Sequence, residues 1–253
     1  MTLPIDSQVA LITGALSDIG RATAQALAQA GYAVVLNYRH RAEEAAAFAA
    51  VLRHEWHAPE AIAIAADVRS RGEVQALYEQ IDQALGRVDV LVNNAGINRD
   101  QSFLEMSDDE WETVVSTILT GTFICSQEFA RRYSGNAGNI INIGAVTAIK
   151  GRKNGANYCS ARAAILTLTK CLALELAPRI RVNTVTPGRI DTEELQTRYH
   201  LDESDNRLRL QQDVPLQRLG EPADVASMIA YLVTAGRYIT GQNFFVDGGL
   251  FMR

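Results

Sequence analysis

Short apolar runs alternating with longer stretches of helical periodicity limit most strongly what this chain can fold into. The runs lie at 9–13, 33–37, 61–65, 88–92, 139–143, 181–186 and 243–246, and the helical stretches near 19–30, 41–55, 71–85, 108–133, 157–177 and 222–234. Most runs lack the period-two alternation of a sheet with one wet face, so they are expected to be covered on both faces. Strand–helix–strand units of this kind close by right-handed crossovers into a parallel sheet. No linker, repeat or low-complexity segment breaks the pattern, so 1–253 is expected to be one α/β domain. The one long irregular stretch, 188–220, is polar and follows a strand end, where ligands of open α/β sheets sit. It reads equally as a functional loop or as a solvated helical excursion.

Composition narrows the function classes. The 253 residues carry 24 Lys and Arg against 29 Asp and Glu, a net charge of −5, with a pI near 5.4. That balance argues against electrostatic nucleic-acid binding. No apolar run approaches the ~18 residues of a membrane span. The opening Met1-Thr2-Leu3-Pro4-Ile5-Asp6 has no basic leader region, so a cytoplasmic protein is expected. Cys125, Cys159 and Cys171 are odd in number and unrelated in spacing, which predicts small buried hydrophobes in a reducing compartment. His54 and His57 stand at helical spacing with no third ligand nearby, so they predict a solvated helix face and no metal site.

Motifs fall at the strand ends. The first strand runs into Thr13-Gly14-Ala15-Leu16-Ser17-Asp18-Ile19-Gly20. A glycine turn opening a helix there aims backbone N–H groups at a pyrophosphate. Asp67-Val68 closes the third strand, where a carboxylate can accept from an adenine amino group. Asn93-Asn94-Ala95-Gly96 closes the fourth with small residues. Tyr158-Cys159-Ser160-Ala161-Arg162 opens a helix and puts Tyr158 and Arg162 on one face. Pro187-Gly188-Arg189-Ile190-Asp191-Thr192 ends the sixth strand.

In this order the motifs resemble those of the short-chain dehydrogenase/reductase family, across Val9 to Phe251. Asn37-Tyr38-Arg39, the 214–222 segment and the 238–249 tail are most similar to bacterial 3-oxoacyl-[acyl-carrier-protein] reductases. The resemblance implies a Rossmann-type doubly wound sheet of seven strands, a nicotinamide cofactor and a tetramer. It implies cofactor contacts from Gly14, Ser17, Ile19, Gly20, Arg39, Asp67, Val68, Asn94, Gly96, Pro187, Gly188, Ile190 and Thr192.

The family's ketoreductases use an Asn, Ser, Tyr, Lys tetrad. Tyr158 matches the proton donor. Arg162 stands for the Lys, Ala145 for the Ser and Ile118 for the Asn, and Asp18 replaces the middle glycine of the turn. Arg162 keeps a positive charge but not a transferable proton. Losing a donor aimed at the reacting oxygen costs about 2.7–4 kcal/mol. Thr147 is two residues beyond Ala145, about 6–7 Å along an extended chain, too far unless the loop bends back. Ile118 cannot hold a relay water. Asp18 places a carboxylate where a pyrophosphate is expected, unless it turns away as a helix cap.

Arg39, supported by Arg41, suits the 2′-phosphate of NADP, weakly bound or absent if Asp18 repels it; as solvated residues they would simply open a helix with Glu43 and Glu44. An acyl carrier protein is an expected partner, with Arg179 matching one docking arginine, Asn136 falling at the other, and Arg131 and Arg132 just upstream. The resemblance also implies subunit contacts through 108–133 and 157–177 and through Phe244, Phe245, Leu250 and Phe251. Three functions are therefore expected to compete: a supporting subunit impaired in ketoreduction, in a homo-oligomer or beside a related reductase; an NADPH-dependent 3-oxoacyl reductase tolerating its tetrad; and a non-redox acid–base enzyme using Tyr158 and Arg162.

Overall fold

The apolar runs pair side by side. In the computed structural model, which describes residues 7–252, they form strands β1 (Val9–Ile12), β2 (Ala33–Tyr38), β3 (Ala61–Ala65), β4 (Val90–Asn93), β5 (Gly138–Ile143), β6 (Ile180–Pro187) and β7 (Asn243–Val246). The described strands make one seven-stranded sheet in the order β3-β2-β1-β4-β5-β6-β7. Every pairing is parallel. The order reverses between β1 and β4, which opens a crevice above the carboxyl ends of those strands. This is the expected Rossmann-type α/β domain.

Helices α1 (Asp18–Gln29), α2 (Ala42–His54), α3 (Arg71–Leu85), α4 (Asp108–Val115), α5 (Gly121–Arg132), α6 (Thr147–Lys150), α7 (Ala156–Leu176), α8 (Glu193–Tyr199), α9 (Ser204–Gln212) and α10 (Pro222–Thr234) surround it. Successive strand residues point to opposite faces. Ile12, Leu36 and Ile141 pack under Leu27, Phe48 and Ile229 on one side, and Leu11, Val35 and Ile140 under Leu77, Ile81 and Phe129 on the other. Both faces are apolar, which is why the alternation is invisible in the sequence.

One polar chain crosses this core below the crevice. Asn93 Nδ2 donates to Asn142 Oδ1 (2.9 Å) and Ser126 Oγ (3.0 Å), and Asn142 Nδ2 donates to Thr169 Oγ1 (2.8 Å), itself 2.8 Å from Thr184 Oγ1. Polar links of this kind fix the register of β4, β5 and β6, with the Asn93 Oδ1 left buried and unpartnered.

Several expectations are corrected. The 108–133 stretch is helical throughout, as expected, but a π-helical turn at Ser116–Thr120 interrupts the α-helical ladder between α4 and α5. The Ser116 and Thr117 hydroxyls both donate back to the Thr113 carbonyl (3.3 and 2.7 Å), competing with the regular ladder. The 188–220 stretch carries α8 and α9 and a small core of Leu201, Leu210 and Leu219. Only Cys125 is buried; Cys159 is half-buried and Cys171 exposed. His57 lies beyond α2 at φ 56°, so it shares no helix face with His54. Met1–Asp6, read above as lacking a basic leader, lies outside the described residues. Among the described residues, no helix is long and apolar enough to cross a membrane.

Candidate active site

The turn after β1 is built around close approach. Gly14 has φ +59°, and a Cβ there would lie 2.9 Å from Ala95 Cα; a Cβ at Gly20 would lie 2.7 Å from the Gly14 oxygen. Ser17 caps α1 by accepting from Gly20 N (3.2 Å). Asn94 Nδ2 donates to the Thr13 and Gly14 carbonyls and to Ser17 Oγ, while Thr13 Oγ1 accepts from Asn94 N and Ala95 N. Asn94 therefore clamps the β4 end onto the turn. Such a cradle of free N–H groups at a helix start fits a dinucleotide pyrophosphate.

Asp18 borders the cavity beside that cradle. Its Oδ2 accepts from Glu193 N at 2.9 Å, across the crevice at the start of α8. Two helix N-termini, those of α1 and α8, stand beside its charge.

Beside β2, a cavity of about 240 Å³ is lined by Gly14, Ser17, Arg39, Arg41, Asn94 and Gly96. Arg39 Nε donates to His40 Nε2 (2.8 Å), and Arg39 Nη1 lies 3.7 Å from Asp67 Oδ2. Arg41, expected to assist, pairs instead with Glu44 at 3.2 Å. Asp67 is gripped by Arg69 (Nη2 to Oδ2 2.6 Å), whose hydrogen bonds hold its carboxyl below the usual range. Val68 is buried under α5, its Cγ2 2.7 Å from where a Gly121 Cβ would sit, and Gly20 is buried in the turn; neither lines this cavity or the larger one above β4, β5 and β6.

The second cavity, about 430 Å³, lies above β4, β5 and β6. It gathers Ser17, Ile19, Asn94, Gly96, Pro187, Gly188, Ile190 and Thr192 with Tyr158, Arg162 and Ala145. The first turn of α7 is held by Asn157, whose Nδ2 donates to the Arg99 and Glu110 carbonyls (2.8 and 3.1 Å). One turn on, Arg162 Nη1 donates to the Ile143 carbonyl at 2.6 Å. The Arg162 and Arg152 guanidinium carbons lie 5.4 and 5.1 Å from the Tyr158 ring centre. Ile118, in the π-helical turn, is fully buried with Val114, Ala161 and Ile165, and Tyr158 packs against this cluster. Val146 has helical dihedrals and Thr147 opens α6, so the segment bends back. Thr147 borders the same cavity, and its hydroxyl is buried without a partner.

The wall contributed by α8 was not foreseen. Arg152 Nη2 donates to Asn98 Oδ1 (3.1 Å) and pairs with Asp100; Arg198 bridges Asp100 and Glu194, and Asn98 Nδ2 donates to Glu194 Oε1 (3.2 Å). The i,i+4 spacing of Glu194 and Arg198 was a signal for it; Arg152 carried none.

A sheet reversing between β1 and β4, with a glycine cradle below and a tyrosine above, defines a dinucleotide-binding oxidoreductase scaffold. The sequence profile of the family described as Enoyl-(Acyl carrier protein) reductase matches residues 14–251. A 3-oxoacyl-[acyl-carrier-protein] reductase of Synechocystis is 42% identical over 252 residues, covering 98% of each chain. One from Staphylococcus aureus is 38% identical over 246 residues, 96% of this chain and 98% of its own. The crystal structure of a short-chain dehydrogenase/reductase from Brucella melitensis superposes with a TM-score of 0.90 at 31% identity, covering all of both chains. The chain belongs to the short-chain dehydrogenase/reductase family.

Proposed function

We propose that this chain keeps the NADP-binding scaffold of the 3-oxoacyl-[acyl-carrier-protein] reductases it resembles but has lost, or nearly lost, ordinary ketoreduction. It acts as a supporting subunit of a reductase-like assembly, with itself or with a related reductase, in the cytoplasm. One observation carries the reading: Ile118 is sealed in hydrocarbon against Tyr158, where the resemblance expects a water held by an amide. With Ala145 beside it and no lysine at 162, Tyr158 lacks the serine hydroxyl and the lysine relay that the resemblance expects, although the unpartnered Thr147 hydroxyl borders the same cavity. When bound, NADPH would supply the hydride; the chain's part is to seat it with Gly14, Ser17, Asn94 and Arg39.

Exposed Phe123 on α5 and Leu174 on α7 support an oligomer built on those helices. Carrier-protein docking has weaker support. Arg131 pairs with Glu128 and Arg132 with Asp82, which leaves exposed Arg179 as the freer cation.

Two observations favour the competing readings. The bond from Glu193 N to Asp18 weakens one obstacle to NADPH, as a tolerant 3-oxoacyl reductase requires. The two guanidinium groups around Tyr158 suit non-redox acid–base work such as dehydration or cyclisation. Titrating the purified protein with NADPH, followed by nicotinamide fluorescence, separates the redox reading from the other two. Binding without consumption of NADPH on a β-ketoacyl thioester fits the supporting subunit or the acid–base enzyme, no binding favours the supporting subunit, and rapid consumption contradicts both.

A further inference from the structure

The outer wall of the larger cavity is α8, and what holds that helix in place is polar. Glu194, Leu195, Arg198 and Tyr199 line the cavity, yet no residue of α8 is buried. A short helix without buried apolar surface is not fixed by packing. The excursion that carries it leaves and rejoins the body at one point. There Ile190 bridges Gly220, Asp191 N donates to the Gly220 carbonyl (2.7 Å) and Gly220 N to the Arg189 carbonyl (2.9 Å). Arg189 also holds α9, through the Leu210 carbonyl and Asp213 at 2.8 Å each. The part left to swing is therefore α8.

Across the cavity, α8 meets a base that is tied down. The 98–101 loop is held by Asn157 Nδ2 on the Arg99 carbonyl (2.8 Å) and by Gln101 N on the Asn154 carbonyl (2.9 Å). Two side chains of this loop each reach both ways. Asn98 donates to Glu194 of α8 and accepts from Arg152; Asp100 lies 3.6 Å from Arg198 of α8 and 2.5 Å from Arg152. Asp18, bonded to Glu193 N, makes a third link. Arg152 thus joins both arms to the Tyr158 ring, 5.1 Å from its guanidinium carbon. Gly155 leaves room for it, since a Cβ there would lie 2.8 Å from Arg152 Nε. The Arg198 and Asp100 side chains are 19% and 30% exposed, so salt can screen the pair.

We propose that α8 is a lid latched shut by the chain's own charges, Arg198 and Glu194 on the 98–100 loop, and that releasing the latch opens the way to Tyr158. The inference concerns access to the cavity and is independent of what reaction, if any, takes place there.

The test uses the full chain with no cofactor added. Hydrogen exchange of peptides covering 193–199 reads the lid. Nitration of Tyr158 by tetranitromethane, measured by peptide mass spectrometry against the fully exposed Tyr238, reads entry to the cavity. At about 1 M NaCl the screening length falls to about 3 Å, shorter than the separation of Arg198 from Asp100. Raising NaCl from about 0.05 M to about 1 M should increase both readouts by about 3–10-fold in the wild type. Asp100→Asn should show that increase already at low salt and respond to salt by less than about twofold. If Asp100→Asn fails to fold by circular dichroism, Arg198→Gln, on a helix with no buried residue, decides with the same expectations. The proposal is overturned if α8 exchanges at its unprotected rate in low salt, if salt or the folded variant leaves either readout unchanged, or if the variant keeps the full salt response. A fast reductase would sink the proposed loss of ketoreduction and leave these results standing, so the two failures are distinguishable.

Discussion

Replacing Asp18 separates two opposing effects of one carboxylate. Its hydrogen bond to Glu193 N, 2.9 Å long, fastens the start of α8 to the start of α1. A charged cap of this kind is worth about 1–2 kcal/mol. Against it, a carboxylate about 7 Å from a phosphate charge at an effective dielectric of roughly 40–80 repels it by about 0.6–1.2 kcal/mol. The half-charge of a helix N-terminus cancels about half of that repulsion. Asp18→Gly should therefore raise amide exchange in α8 by about 5–30-fold while changing NADPH affinity by no more than about threefold. Asp18→Asn keeps an acceptor and should leave exchange within about threefold of wild type. Hydrogen exchange of α8 peptides and a nicotinamide fluorescence titration read the two effects independently. Unchanged exchange in Asp18→Gly, or NADPH binding tightened tenfold or more, would refute the reasoning, since the carboxylate would then face the pyrophosphate.

Other outcomes follow from the same geometry. Ile118→Asn alone should destabilise the chain by about 2–4 kcal/mol in urea unfolding, because it puts an amide into a fully buried apolar cluster; a change below about 0.5 kcal/mol would mean the cluster admits water. Arg39→Ala should weaken NADPH by about tenfold and leave NADH within about twofold, and equal losses for both would remove Arg39 from the 2′-phosphate. Burial pushes the Cys125 thiol up to about 12. Only about 10⁻⁴ of it is thiolate at pH 8, so maleimide should label it on unfolding and not before. Native labelling of Cys125 at the rate of exposed Cys171 would contradict that burial.

The sheet was legible because each strand is a short run of apolar residues closed by a glycine, asparagine or aspartate. Ala61–Ala65 and Asn243–Val246 match the expected bounds. The π-turn between α4 and α5 was hidden: Gly121 follows it directly but stays helical, and the Ser116 and Thr117 hydroxyls bond back within the helix. The tetrad positions were read from spacing within single motifs, and the structure brings Tyr158, Arg162 and Ala145 to one cavity. What spacing cannot carry is direction. Asp18 reaches Glu193, 175 residues away in sequence, and Arg41 pairs with Glu44 while still bordering the cavity beside Arg39. The Thr147 segment turns back because Val146 adopts helical dihedrals, a choice no residue near 146 announces. Leu174 and Cys171 are exposed on α7, whose apolar residues face more than one side, so hydrophobicity alone did not reveal which of them the core would take.

The claim that a reductase scaffold here lacks its proton-transfer machinery is tested most directly by rates on a short β-ketoacyl thioester with NADPH. They should be measured for the wild type and for a variant combining Ile118→Asn, Ala145→Ser, Arg162→Lys and Asp18→Gly. Groups acting as a unit are not additive, so single restorations should recover little. The wild type should turn over well below ~1 s⁻¹, the low end of ordinary enzymes. The fourfold variant should be at least ~100-fold faster, the scale of one lost transition-state donor. A wild type already at ~1 s⁻¹ or above contradicts the account; so does a folded, NADPH-binding fourfold variant that stays inert on several chain lengths.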